Sequence, residues 1–91
     1  MANTIQNNLE QVLAERLSLI QCIQESFKRR AGELPVRFRR GPIQKAICNE
    51  VGIPWIGSNK RIINEALEGL GYIQIRVQGT RFYRHRNAYG R

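Results

Sequence analysis

Asn59, Lys60, Arg61 and Asn64 are the residues of this 91-residue chain whose types and spacing come closest to a recognisable chemistry. They fall at the start of an apolar-periodic segment that runs to Leu70. Lysine and arginine match the O6/N7 acceptors of guanine, and an asparagine amide matches N6/N7 of adenine, so the set is equipped to read base edges. A second group suits phosphate oxygens, which fix position without carrying sequence. It comprises Arg37, Arg39, Arg40 and Lys45 on one stretch, Arg76, Arg81, Tyr83, Arg84 and Arg86 on another, and the Ser58 hydroxyl just ahead of Asn59. The competing reading of 59–64 is a solvated helix face carrying an Arg61–Glu65 pair.

Catalysis finds no comparable set. The chain has no aspartate, its seven glutamates are scattered, and the single histidine, His85, lies in an arginine-rich stretch and reads as a solvated strand residue. No HExxH, GxSxG or glycine-rich phosphate loop occurs. Cys22 and Cys48 stand far apart with no CxxC, whereas a zinc site needs about four ligands at local spacing. The expectation is a binding protein rather than an enzyme, without metal or cofactor. Both cysteines are expected reduced, and buried or half-buried, in a cytoplasmic protein, beside a nucleoid or in a host's cytoplasm. No apolar run approaches the roughly 20 residues of a membrane span and no signal-peptide pattern is seen, so no membrane partner is expected.

The charge is unevenly placed. Net charge is +8, yet residues 1–35 balance to zero, with Arg16, Lys28, Arg29 and Arg30 against Glu10, Glu15, Glu25 and Glu33. Residues 36–91 hold the whole excess. A neutral segment followed by a basic one divides the labour: the first packs, the second meets a polyanion.

Those side chains need elements to hold them. Segment 3–30 carries Ile5, Leu9, Val12, Leu13, Leu17, Leu19, Ile20, Ile23 and Phe27 within one helical arc about 160° wide. Asn3 with Gln6 reads as a capping box, and Gly32 and Pro35 end the helix. The helix is longer than a small core needs, so part of its arc is expected to pair with a second copy. Arg16, inside the arc, either snorkels or meets a glutamate across that dimer. Leu34–Arg40 alternates as a short strand, with Val36 and Phe38 inward and Arg37 and Arg39 outward. Ile43, Ile47 and Val51 mark a helix ending at Gly52, with Pro42 in its first turn. Ile53 or Trp55 is expected to plug the space between helices. Ser58 reads as the N-cap of the helix bearing Ile62, Ile63, Ala66, Leu67 and Leu70. Two strand-like runs, 72–77 and 80–86, flank Gln78-Gly79 as a hairpin. A two-residue turn sets Arg76 against Arg81, a like-charge pair that an anion between them would relieve, and places Tyr83 on that outward face. Residues 87–91 read as a frayed tail.

Helix, short strand, helix, turn, helix and hairpin together give an α+β, mainly helical single domain, with the longest helix at 3–30 and the rest at 35–86. Ile43–Val51, Gly52–Gly57, Ser58–Leu70 and Gly71–Arg86, with the passage Ala66-Leu67-Glu68-Gly69-Leu70-Gly71-Tyr72-Ile73, resemble the winged-helix variant of the helix-turn-helix over about two thirds of the chain. The chain is also similar to small winged-helix modules of phage and plasmid replication proteins. The resemblance implies double-stranded DNA as partner, with helix 59–70 in the major groove and the hairpin as a wing on backbone or minor groove. The implied role is transcription regulation, or service to DNA replication or recombination as an accessory factor, alone or in a larger protein complex. Six to eight phosphate contacts, at about −0.9 each in log–log salt slope, would make binding steeply salt-dependent. Two alternatives remain open. One is a protein-interaction adaptor whose basic face meets an acidic partner. The other is an RNA binder stacking bases on Trp55, Tyr72, Phe82, Tyr83 and Tyr89.

Overall fold

Amphipathic periodicity without a break until Gly32 produces one long helix, α1 (Ala2–Ala31). Thirty residues at 1.5 Å each make it about 45 Å long, and the molecule is accordingly elongated, 56 × 26 × 25 Å. The structure, a computed structural model, describes residues 2–88, with side chains from residue 9 onward. The side chains of the expected Asn3–Gln6 capping box, and the whole of Tyr89, lie outside the described residues.

After α1 come β1 (Arg37–Arg39), α2 (Arg40–Val51), α3 (Gly57–Gly69), β2 (Tyr72–Val77) and β3 (Thr80–His85). The result is an α+β fold, mostly helical, with one three-stranded antiparallel sheet in the order β1-β3-β2. β1 therefore lies beside the hairpin, and it is shorter than the alternation suggested. Val36 falls outside it and stays exposed, while Phe38 turns inward alone. Gly52, at φ 86°, ends α2 in the left-handed conformation open to glycine. Ser58 does not cap α3: the helix begins one residue earlier, with extended Ile56 in the cap position. Instead Asn59 reaches back, its Nδ2 donating to the Pro54 carbonyl at 2.8 Å.

The hairpin register is the expected one, with Val77 opposite Thr80, Arg76 opposite Arg81 and Ile75 opposite Phe82. Gln78 and Gly79 both take positive φ, 52° and 81°, which matches the right-handed strand twist in a two-residue turn. Gly71, at φ 92°, turns α3 into β2 so closely that a Cβ there would meet His85 Nε2 at 2.8 Å. His85 is consequently not a solvated residue. It is half-buried, edge-on to Tyr72 at 5.0 Å, and accepts a hydrogen bond from the Asn87 N–H. Arg86–Ala88 form a 3-10 turn, so the first part of the expected tail is ordered into the fold.

The core draws on every element except β2: Ile23 and Phe27 of α1, Phe38, Ile43, Ile47, Cys48, Ile63, Ala66, Leu67 and Tyr83. Tyr72 of β2 packs against it from the rim. Phe27 and Tyr72 meet edge-on at 4.7 Å, and Phe38 joins both. Ile53 is the turn residue that packs on this core; Trp55 stays at the surface. Cys48 is buried as expected, but Cys22 is exposed. Only the second half of α1 covers the core. Leu9, Val12, Leu13 and Leu17, one apolar stripe of the first half, each leave about 60% of their surface exposed. Arg16 in that stripe pairs with Glu65 of α3, a partner within the same chain rather than across a dimer. Among the described residues no helix is long and apolar enough to cross a membrane.

Candidate nucleic-acid interface

The two asparagines of the candidate base-reading set are committed elsewhere. Asn59 ties α3 to the preceding turn, as above. Asn64 faces the interior side of α3, where its Oδ1 accepts from the Tyr83 hydroxyl and from Gln44 Nε2 at 3.2 Å. Gln44, almost fully buried, donates also to the Tyr83 oxygen at 2.8 Å and accepts from Trp55 Nε1 at 3.2 Å. This network locks α2, α3, β3 and the 53–56 turn together, because leaving any member unpaired in the interior costs more than the bond itself contributes.

Tyr83 is thus a core residue, 1% exposed, and not an outward group on the wing. The alternation that placed it on the same sheet face as Arg81 holds. What changes along β3 is what covers that face. Beneath the helices it carries Tyr83 and Phe38. Further out, past their edge, it carries Arg81 and Arg76. Burial pushes the Tyr83 hydroxyl up to about 12, against the smaller opposing pull of Gln44 and Arg40.

Lys60 and Arg61 remain. Lys60 Nζ sits over the Trp55 ring at 3.9 Å, and Lys45 Nζ lies 4.5 Å from the same centroid. Arg61 is exposed and makes no ion pair among the described residues. The alternative Arg61–Glu65 pair does not form, since Glu65 is engaged by Arg16. Ser58 is exposed beside Arg61.

The phosphate candidates separate into two groups. Arg40 and Arg81 line, with Lys60 and Trp55, one open cleft of about 400 Å³ between the start of α2 and the hairpin tip; Arg39 also borders it, but its place opposite Phe82 puts its side chain on the sheet face of Arg37. Arg40 is oriented there by Gln74 of β2, Nη1 to Oε1 at 2.9 Å, and Arg76 stands opposite Arg81 at the cleft's outer edge. Arg37 and Arg84 belong to the other face of the sheet. They stand opposite each other in the β1–β3 ladder, with the Arg37 guanidinium 4.8 Å from the Phe82 centroid. Sequence reading missed this second like-charge pair, because it joins strands more than 40 positions apart with no local turn to fix their register. Arg86 is exposed at the far end of the hairpin.

The aromatics proposed for stacking are mostly occupied. Tyr72 and Tyr83 serve the core cluster, Phe82 lies under Arg37, and Trp55 has lysines over its ring. The acids are used on α1: Glu65 with Arg16, and Glu50 with Arg29 at 2.5 Å and Arg30 at 3.0 Å. The Ser26 hydroxyl and the two guanidiniums hold the Glu50 carboxyl down at about 2. No protein-family model, curated protein or solved structure matches the chain.

Proposed function

We propose that the chain is a winged-helix protein that binds double-stranded DNA as a homodimer, in a regulatory or replication and recombination accessory role. The observation that carries this reading is the distribution of ion pairs. All three among the described residues neutralise cations of α1, while Arg40 of α2, Lys60 and Arg61 of α3, Arg76 of β2 and Arg81 of β3 make no ion pair among the described residues. A positive surface assembled from four elements and left unneutralised is the electrostatic footprint of a polyanion.

In this arrangement the first turns of α3 enter the major groove. Arg61 is the residue for base contact, with Lys60 at the groove edge; Asn59 and Asn64 act by holding α3 in place. Arg76 and Arg81 at the hairpin tip, with Arg39, Arg40 and Lys45, grip the backbone. Glu65 and Glu68 confine close approach to the N-terminal half of α3. Arg61→Ala is expected to reduce preference for a selected site over random duplex, and Arg76→Ala to weaken both alike. Fluorescence anisotropy on the two duplexes decides; equal losses for both variants would overturn the division of roles.

A second reading, a protein-interaction adaptor, draws support from the exposed stripe Leu9, Val12, Leu13 and Leu17. It predicts no duplex binding at physiological salt, with the basic face meeting an acidic protein instead.

A further inference from the structure

We propose that the cleft between the hairpin tip and the start of α2 is also a binding site for a compact, multiply charged phosphate group, of the kind carried by a nucleoside di- or triphosphate. Three cations from three elements line one volume of about 400 Å³: Arg40 of α2, Lys60 of α3 and Arg81 of β3. Among the described residues no carboxylate lines it. The size falls in the range of small-ligand sites, about 300–1,000 Å³.

Charge density distinguishes this ligand from a nucleic-acid backbone alone. A duplex strand spreads its charge at one phosphate per roughly 3.4 Å of axis. Three guanidinium and ammonium groups bordering one cleft match an anion whose charges are gathered in one group. Arginine forks also suit terminal phosphate oxygens, to which they donate paired hydrogen bonds. Among the described residues no carboxylate forms an ion pair with any of these three, since Glu50 and Glu65 are spent on α1. Gln74 fixes Arg40, and the buried Gln44 fixes the Trp55 ring at the wall, so the site is shaped before a ligand arrives.

The Lys60 ammonium rests over the indole and must leave it to meet a phosphate. Trp55 is the chain's one tryptophan, so its emission reports cleft occupancy directly. Because the same cations serve the DNA-binding role, ligand and duplex exclude each other; that competition alone rests on the function proposed above.

The test titrates the full chain with pyrophosphate, inorganic phosphate and sodium chloride at matched ionic strength, reading Trp55 emission. The expected result is saturable binding of pyrophosphate about tenfold tighter than of phosphate, weakened at least about tenfold by Arg81→Ala. Lys28→Ala, which removes the same charge from the far side of the molecule, leaves the affinity unchanged. Arg40→Ala serves where melting shows that the Arg81 variant fails to fold. A signal that follows ionic strength regardless of the anion, or equal affinities in the Arg81, Arg40 and Lys28 variants, overturns the site. Labelled duplex is then added as a competitor. Absence of duplex binding would remove the DNA-binding role while the pyrophosphate result stands. Duplex binding without an anion-selective signal would remove the ligand site alone.

Discussion

The Tyr83 hydroxyl donates to Asn64 Oδ1 and accepts from Gln44 Nε2, deep between α2 and α3. Tyr83→Phe removes both of these bonds and leaves Gln44 and Asn64 only the one between them and the Trp55 contact, and is expected to destabilise the fold by about 1 kcal/mol or more, read from urea denaturation. Because the folded-state hydroxyl titrates near 12, above its unfolded value, the native protein keeps a proton that the unfolded chain releases earlier. Stability should therefore fall as pH rises from the ordinary tyrosine range toward about 12, and this alkaline limb should vanish in the phenylalanine variant. Glu50 works in the opposite direction. Its carboxyl is held down at about 2, so its contribution is present above the ordinary carboxylate range and is lost as pH falls toward about 2. Glu50→Gln should flatten the acid limb of a pH–stability curve; an unchanged limb would show that Ser26, Arg29 and Arg30 do not favour the ionised form. Residue type alone did not reveal these assignments. An asparagine amide suits adenine and a buried tyrosine equally well, and only the meeting of α3 with β3 decides between them.

At the scale of elements, local signals carried far. The period of α1, the Gln78-Gly79 turn and the 76–81 register all follow from neighbours in sequence, and each holds in the fold. Where an element boundary depends on distant packing, sequence said less. Val36 was expected inside with Phe38, but β1 has only three residues against β3 and ends before reaching it. Ser58 carries a capping oxygen, yet the chain enters α3 at Ile56, set by the turn that Asn59 fastens. The first half of α1 is the element with unfinished packing: four large apolar side chains in nine positions remain some 60% exposed. A helix extension of this kind gains little from propensity alone and is stabilised chiefly by a covered apolar face. The segment carries Glu10 and Glu15 with no unpaired arginine, so two copies can approach there without bringing their basic sides together. Leu13→Glu should weaken self-association by about 2 kcal/mol or more, seen by sedimentation equilibrium. A wild-type protein that is monomeric at high concentration would remove the homodimer and leave the stripe to another partner.

Taken whole, the molecule separates its charges. Acids fasten α1 to the body, and Arg40, Lys60 and Arg81 of α2, α3 and the hairpin line a cleft that takes no part in those pairs. The two-part charge distribution was legible in the sequence, since the excess begins after residue 35. Its division into a cleft group and an Arg37–Arg84 group on the opposite sheet face was not, because it depends on which side of the sheet the helices cover. Arg37→Ala should consequently affect duplex binding far less than Arg76→Ala or Arg81→Ala. The central claim, that the unpaired cations form one surface for duplex DNA, is tested most directly by anisotropy of a labelled random 30-base-pair duplex across a salt series, with single-stranded DNA and duplex RNA alongside. A DNA-binding role predicts preference for duplex DNA and a log–log salt slope of about −5 to −7. Absence of duplex binding at about 150 mM salt, or binding with a slope near zero, would contradict it.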